Sequence, residues 1–263
     1  MRRFAGFAVG AMVLLAGCGG GGGGASVGGV AGNGGGTSQN YSTAFPRTEN
    51  PIDEDGRWLN GKVDGTDWTD VQTSRGNAIG TQFREAEGTE YHDSVAVLDG
   101  TWGSDQTVEG VVHEANRTGT GASGWGGNEF GDCIHEVELI LRGNIFPANI
   151  YLYEVLFSSR LDGTAYTEIV KWSGAQGNFT YLSRKWGTQY RVFDGDVVRA
   201  SIVGNTIKVY LNNTLVATAT DSVSPITQGS PGIGFFTNRG CTGGAHNEDF
   251  GFKSIAIRTT AGG

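Results

Sequence analysis

The sequence predicts an all-β protein built as a sandwich or barrel. No convincing amphipathic helix follows residue 40, whereas short alternating or apolar runs bounded by Gly, Asn and Asp recur throughout. Ten such runs are too many for a lone hairpin and fit two packed sheets or a closed one. The predicted strands are Ser94 to Val97, Gln106 to His113, Glu136 to Arg142, Ile150 to Ser158, Thr167 to Trp172, Val197 to Val203, Thr206 to Asn212, Thr214 to Thr220, Gly232 to Phe236 and Phe250 to Ile257.

The chain begins with a basic pair, Arg2 and Arg3, an apolar run to Ala16, and then Gly17 and Cys18. A short apolar run with small residues at its end predicts an export signal over residues 1–17, and it is too short for a permanent transmembrane helix. The Leu-Ala-Gly-Cys box resembles that of bacterial lipoproteins, which implies lipidation of Cys18 and a bacterial cell-envelope location. Gly19 stands where many such lipoproteins carry the Asp of inner-membrane retention, so the resemblance implies an outer-membrane anchor. An ordinary signal peptide with an incidental Cys18 is the alternative.

Residues 18–40 form a Gly-rich stretch without a charged side chain, and they predict a flexible tether. A Gly-rich coil of roughly 20 residues reaches about 25 Å, which places the following domain just off a membrane. Removing residues 1–17 moves the net charge from −8 to −10. Because no Lys/Arg cluster offsets this charge, we expect no nucleic-acid partner.

Residues 41–263 are long enough for one all-β domain, and no second linker divides them. Cys133 and Cys241 remain after Cys18 is assigned to lipid, and they are a candidate disulfide in an oxidising compartment. Two unpaired thiols are the alternative. Neither cysteine has a Cys or His neighbour at metal-ligand spacing.

The clearest hairpins lie in the last third of the domain. Gly204-Asn205 separates two predicted strands, and Asn212-Asn213 separates the second from a third. Asn and Gly tolerate the positive φ of tight hairpin turns, so a three-stranded antiparallel meander is predicted.

A family resemblance follows from the end of the chain. Residues 194–200 (DGDVVRA), 207–213 (IKVYLNN), 229–234 (GSPGIG) and 249–252 (DFGF) resemble the closing strands of concanavalin A-like jelly rolls, including laminin G-like and 3-keto-disaccharide hydrolase-like domains. The resemblance covers about residues 136–257. It implies an antiparallel jelly-roll β-sandwich, a superfold that hosts lectins, glycan hydrolases, lyases and protein-binding modules.

One predicted strand, residues 135–142, carries the most testable chemistry. With a period of two, Glu136, Glu138, Ile140 and Arg142 share one face, and His135 shares the other with apolar residues. Jelly-roll glycosidases similar to laminarinases place a nucleophile, a helper and an acid/base at alternate positions, which implies Glu136 as nucleophile and Glu138 as helper. The third position is an isoleucine, which cannot donate a proton. A second acid would have to come from a neighbouring strand, and the candidates are Glu154, Asp162 and Glu168. Alternatively, the face is a solvated strand surface, or it binds sugar hydroxyls without chemistry.

Six tryptophans are numerous for one domain, and large rings with polar edges suit sugar-binding surfaces. Trp172 and Trp186, at the end of a predicted strand and beside a glycine, are predicted at the rim of the site, as is Trp125. Burial is the alternative for each ring. The remaining three are predicted to be core or turn residues: Trp58, Trp68 and Trp102.

Acid-rich turns suggest a structural calcium ion, because Ca²⁺ requires hard oxygen ligands. None of them completes an EF-hand. Since jelly rolls of the resembled superfold often hold calcium near the chain ends, Asp249 is the predicted ligand, with ordinary turn chemistry as the alternative. The acid-rich segments are 53–56 (DEDG), 194–196 (DGD) and 248–249 (ED).

These features predict a lipid-anchored envelope protein that binds a poly- or oligosaccharide. The expected ligand-binding residues are Glu136, Glu138, Arg142, Trp172 and Trp186. A glycan hydrolase or lyase on the same face is the enzymatic alternative, and a non-catalytic adhesion or envelope scaffold is the third.

Overall fold

Antiparallel strands stacked as two sheets make up the architecture of the computed structural model. It describes residues 38–74, 76–82, 93–115, 135–159, 165–237 and 247–260. All of these belong to one compact unit, Gly35–Gly263. The only helices in these ranges are the 3-10 turns Thr188–Tyr190 and Asn247–Asp249. Within the same ranges, no helix has the length and apolar character needed to cross a membrane.

One sheet has eight strands. Its strand β1 (Gln39–Thr43) pairs only with β15, and the others form a continuous antiparallel ladder. In spatial order they are β13 (Thr214–Thr220), β12 (Thr206–Leu211), β11 (Val197–Val203), β6 (Asp105–Glu114), β15 (Phe250–Thr260), β4 (Asn77–Gly80) and β3 (Val71–Ser74).

The other sheet has seven strands and carries the candidate site on its outer face. In spatial order they are β10 (Phe179–Trp186), β9 (Tyr166–Gly174), β8 (Asn149–Ser158), β7 (His135–Phe146), β14 (Ser230–Thr237), β5 (Ser94–Leu98) and β2 (Trp58–Asn60). The chain crosses repeatedly between the two sheets, since β5 and β7 lie in this sheet and β6 lies in the other. The protein is therefore an all-β, antiparallel jelly-roll sandwich, which confirms the predicted fold class.

The main hydrophobic core lies between the sheets and follows the period of two. On β7, Val137, Leu139 and Leu141 are fully buried in this core. Glu136 and Glu138 alternate with them and point to the outer face. His135 is also buried and stacks on Phe250, with ring centroids 5.1 Å apart. The predicted alternation of a core face and a chemical face is thus confirmed for the first half of β7.

The predicted hairpin meander is present. Strands β11, β12 and β13 are consecutive neighbours in the eight-stranded sheet. Gly204, Asn212 and Asn213 have φ values of 55°, 48° and 65°, which is the left-handed conformation that their turns require.

All ten predicted strands occur, and five further strands were missed. Strands β1 to β4 have only three to five residues, too few to show a period of two. β1 also includes Gln39 and Asn40, which the sequence interpretation assigned to the tether. Strand β10 was missed because a bulge between Tyr181 and Ser183 interrupts its alternation.

Candidate functional site

Glutamates on three neighbouring strands form the centre of the outer face. Glu136 and Glu138 lie on β7, Glu154 lies on β8, and Glu168 lies on β9. Glu154 is directly opposite Ile140, and Glu168 is opposite Leu156, which itself faces Glu138. Two of the three candidates for a second acid, Glu154 and Glu168, therefore lie near Glu138. Asp162 lies outside the described residues.

A fifth carboxylate, Asp93, reaches the same place from the opposite direction. It precedes β5 directly, and β5 is separated from β7 by β14. One carboxylate oxygen from each of Asp93, Glu136 and Glu138 lies within 4.8 Å of the other two. We call these three residues the acid cluster. All three are buried, and Glu138 has no exposed surface.

Gly234 on β14 makes room for the acid cluster. It pairs with Val95 on one side and with Glu138 on the other. A Cβ atom at this position would lie 2.1 Å from Glu138 Oε2. The Glu138 side chain therefore lies over a strand that has no side chain at that point, and a side chain at position 234 would have to displace the Glu138 carboxylate.

The surrounding carboxylates have identified donors. The Tyr166 hydroxyl donates a hydrogen bond to Glu136 Oε1, and Trp172 Nε1 donates to Glu154 Oε2 at 2.8 Å. Arg184 Nε donates to Glu168 Oε1 at 2.8 Å. By contrast, no N–H or hydroxyl group among the described residues donates to either oxygen of Glu138, and its hydrogen-bond neighbour is the Glu154 carboxyl.

Burial favours the protonated form of the carboxyl groups on this face. Burial, and then the charges of Glu154, Asp93 and Glu136, raise the pKa of Glu138 well above its ordinary value. Burial, with the charges of Glu154 and Glu136, does the same to the pKa of Asp93. Burial also raises the pKa of Glu154 against the opposing hydrogen bonds with Glu138 and Trp172.

The Glu168 pKa is raised by burial as well, against the opposing effect of Arg184. Raised pKa values on several neighbouring carboxyl groups are a property of proton-transfer sites and of buried ionic clusters alike.

The acid cluster has the donor atoms to bind a metal ion. Three carboxylates that converge from two strands supply only oxygen, and no described His or Cys joins them. The same carboxyl groups also supply the second acid that Ile140 cannot provide. The arrangement is therefore chemically able to hold a cation or to move a proton.

Aromatic rings continue the outer face from the acids to the sheet edge. Trp68 meets Trp172 edge-on at 5.3 Å, and Phe179 lies 5.0 Å beyond Trp172. On the edge strand, the Arg184 guanidinium lies 4.0 Å from the centre of the Tyr181 ring.

The exposed end of these rings is formed by Trp186. The Tyr166 ring lies 5.3 Å from it, and the Arg184 guanidinium lies 5.2 Å from its centre. Trp186 is 37% exposed, so this end of the row is accessible to a ligand. We call the following residues the edge surface: Tyr166, Tyr181, Arg184 and Trp186.

The division of the tryptophans into exposed and buried rings differs from the prediction. Trp186 is exposed, as expected of a rim residue, whereas Trp172 is 3% exposed and lies beside Glu154. The predicted rim position of Trp172 is therefore wrong, because its ring fills space beside Trp68 and its N–H is used by Glu154. The predicted burial of Trp58 and Trp68 is confirmed. Trp125 lies outside the described residues.

Arg142 does not share the face of Glu136 and Glu138. A bulge between Leu141 and Asn144 interrupts the ladder, and Arg142 has φ 52°. This turns its side chain away from the outer face, where its guanidinium donates to three carbonyl oxygens at 2.6–2.7 Å. The predicted placement is wrong because the period of two does not continue through a bulge. The acceptors belong to Ser104, Gly204 and Ile226.

The remaining predicted site residues lie elsewhere. Asp249 is buried in the 3-10 turn before β15, its carbonyl accepts from Ala115 N–H, and it joins no group of three metal-ligating side chains among the described residues. Calcium at Asp249 stays a prediction. Cys18, Cys133 and Cys241 lie outside the described residues, so lipidation and the disulfide also stay predictions.

A concavity of about 420 Å³ lined by described residues is on the other sheet. Glu109 is its only carboxylate, and that side chain pairs with Arg199 at 3.6 Å. It lacks the convergence of acids and rings seen on the outer face, and we do not assign the site to it.

The sequence interpretation missed Asp93, Tyr166 and Gly234. Asp93 had a readable signal, because it alternates with Val95 and so falls on the outer face of β5. Gly234 and Tyr166 had none, since their roles depend on which strands become neighbours of β7.

The fold and this face define an antiparallel jelly-roll sandwich with an acidic and aromatic outer face. No family model matches the chain, and no curated protein matches it. Among solved structures, a carbohydrate-binding module from Bacillus subtilis is similar at 16% identity and TM-score 0.43, over 77% of this chain and 92% of that one.

Two enzymes are also similar in structure. A Bacillus licheniformis β-glucanase shares 14% identity at TM-score 0.46, over 84% of this chain and 95% of that one. A κ-carrageenase from Zobellia galactanivorans shares 10% identity at TM-score 0.48, over 88% and 98%. At these identities and TM-scores, the similarities do not identify what this protein binds.

Proposed function

We propose that the protein binds a poly- or oligosaccharide on the outer face of the seven-stranded sheet. The observation that carries this proposal is the edge surface, where the accessible Trp186 ring stands beside Tyr166 and Arg184. Sugars stack their C–H faces on such rings, and charged groups beside the rings hydrogen-bond the hydroxyls. Glu168 holds Arg184 in place from within the sheet.

Glu136 and Glu138 belong to the same face but lie deeper. Tyr166 links the two zones, because its ring contacts Trp186 and its hydroxyl donates to Glu136. Glu136 thereby helps to orient the Tyr166 ring on the edge surface. Trp172 lies on the same face, where it packs on Trp68 and donates to Glu154.

We expect Trp186→Ala to weaken glycan binding about tenfold, which corresponds to ~1.4 kcal/mol. The ring is exposed and packs on few neighbours, so its loss leaves the fold intact. Isothermal titration with the glycan that the wild type binds measures the effect.

Tyr210→Ala is the matched control for Trp186→Ala. Tyr210 also packs under an arginine, at 4.4 Å from the Arg199 guanidinium, but it lies on the eight-stranded sheet. Equal losses in the two variants, or none in either, contradict the proposed surface.

Glycan hydrolysis or lysis is the second candidate, and one observation favours it. Asp93 and Glu154 lie beside Glu138, so the acid missing at Ile140 is supplied from neighbouring strands. The oxygen separations within 4.8 Å are nearer to the about 5–5.5 Å of retaining glycosidases than to the 6.5–9.5 Å of inverting ones. A carboxyl group with a raised pKa is a proton donor near neutral pH.

We further propose that lipid on Cys18 anchors the protein in a bacterial envelope, with the outer membrane favoured over the inner. The Leu-Ala-Gly-Cys box and the glycine after it support this placement. Cys18→Ser is expected to move the protein from the membrane fraction to the soluble fraction. An unchanged distribution contradicts the anchor.

A further inference from the structure

We propose that the acid cluster of Asp93, Glu136 and Glu138 binds a divalent cation of the calcium type. This site is distinct from the edge surface and does not depend on carbohydrate binding. It also differs from the predicted calcium ligand Asp249, which belongs to a different part of the fold.

The distances fit one ion of that size. Ca²⁺ binds oxygen at about 2.3–2.6 Å, so two oxygens on opposite sides of it are about 4.6–5.2 Å apart at most. The three carboxylate oxygens lie within 4.8 Å of one another. Mg²⁺ requires shorter bonds and near-octahedral geometry, and it retains several waters, so a buried all-carboxylate cluster suits calcium better.

The second observation is Glu138 itself. Its side chain is fully buried, and no N–H or hydroxyl group among the described residues donates to it. Its hydrogen-bond neighbour is the Glu154 carboxyl, so the two carboxyl groups must share a proton or face a cation. Buried carboxylates that receive no hydrogen bond from a donor group are rare, and a bound cation is one of the ordinary explanations. Both oxygens are available to a cation that the other two carboxylates also face.

The backbone is built to bring these groups together. Asp93 and the two glutamates come from strands on opposite sides of β14, and they meet above Gly234, where a Cβ would lie 2.1 Å from Glu138 Oε2. A cation held there would tie β5 to β7 across β14. It would also occupy the oxygens that a two-carboxylate hydrolase needs, so cation binding and that mechanism compete for the same groups.

The donor set limits the kind of metal. Among the described residues the cluster offers carboxylate oxygen and neither sulfur nor imidazole nitrogen, and His135, which adjoins Glu136, stacks on Phe250 in the core. His92, which adjoins Asp93, lies outside the described residues. Hard cations prefer all-oxygen sites, whereas zinc and copper favour nitrogen or sulfur.

Terbium luminescence tests the site on the full chain after chelator treatment. Tb³⁺ replaces Ca²⁺ in oxygen sites and emits when a nearby aromatic ring is excited, and Tyr166 contacts Glu136 directly. We expect saturable emission that Ca²⁺ displaces at lower concentration than Mg²⁺. Glu138→Gln is expected to weaken Tb³⁺ binding about 10- to 100-fold or more, as loss of a ligand charge does.

Glu109→Gln is the matched control, since it removes the same charge from the eight-stranded sheet and is expected to leave the titration unchanged. Circular dichroism checks folding, and Asp93→Asn repeats the test if Glu138→Gln does not fold. No saturable emission in the wild type, or an unchanged titration in the folded cluster variant, overturns the proposal.

Discussion

A single buried side chain, Glu138, is the residue on which the chemistry of the outer face depends. No N–H or hydroxyl group among the described residues donates to its two oxygens, its hydrogen-bond neighbour is the Glu154 carboxyl, and three other carboxylates raise its pKa beyond the effect of burial. A buried ionised carboxylate is unfavourable unless it is protonated, paired or bound to a metal. Its local environment therefore requires a proton or a cation.

Gly234 gives the sharpest test of this packing. We expect Gly234→Ala to lower the free energy of unfolding by about 1–3 kcal/mol, because the added methyl overlaps Glu138 Oε2. Urea denaturation measures the loss. In a Glu138→Ala background the same substitution is expected to be less destabilising, since the overlapping atoms are gone. An equal loss in both backgrounds contradicts the contact.

The sequence predicted the position of a side chain correctly where that position does not depend on contacts with distant parts of the chain. The positions of Glu136 and His135 follow from a period of two alone. Arg142 and Trp172 failed because a bulge and a neighbouring ring decide their surroundings, and neither leaves a signal in a single sequence.

At the scale of elements, strand β7 contributes both to the hydrophobic core and to the acidic outer face. Its first half alternates core residues with Glu136 and Glu138. After the bulge, Arg142 turns away and ties the strand to three carbonyl oxygens, those of Ser104, Gly204 and Ile226. The acidic outer face of β7 therefore ends at the bulge, and beyond it Arg142 binds the strand to other parts of the fold.

We expect Arg142→Met to lower the free energy of unfolding by about 3–5 kcal/mol, because three carbonyl groups lose the charged donor that the buried Arg142 side chain supplies. Glycan affinity of the protein that remains folded is expected to stay unchanged. Chemical denaturation and titration calorimetry measure the two quantities.

Arg199→Met is the control for Arg142→Met. The Arg199 guanidinium pairs with Glu109 at 3.6 Å on a partly exposed surface, where such pairs contribute about 1 kcal/mol or less. A selective loss of glycan affinity in Arg142→Met would restore Arg142 as a ligand-binding residue.

Strands that carried a clean pattern were predictable, and short or irregular ones were not. The meander β11 to β13 was predicted almost to the residue, since its turns are marked by Gly and Asn. Strand β10 carries the edge surface and was missed, because its bulge breaks the alternation on which the prediction depends.

For the whole molecule, the acidic outer face links stability to pH. Asp93, Glu138, Glu154 and Glu168 all have raised pKa values in the folded protein, with burial as the first cause. The folded state therefore holds protons that the unfolded chain releases above its ordinary carboxyl pKa of about 4. The stabilisation is complete below that pH and is lost as the pH rises through the raised folded-state values.

We accordingly expect the chelator-treated protein to have a higher free energy of unfolding at pH 5 than at pH 8. Glu138→Gln is expected to reduce the difference, because it removes one of the groups that must ionise. Urea denaturation at both pH values is the measurement. A metal-free protein that gains stability from pH 5 to pH 8 contradicts this account of the face.

Light scattering during size-exclusion chromatography tests the central claim most directly. The full chain is mixed with a panel of neutral and acidic polysaccharides, and the mass of the polymer is followed over time. Our account predicts that one polysaccharide co-elutes with the wild type at constant mass and does not co-elute with Trp186→Ala. A polymer whose mass falls would replace binding with hydrolysis or lysis, and the absence of co-elution across the panel would contradict the carbohydrate proposal.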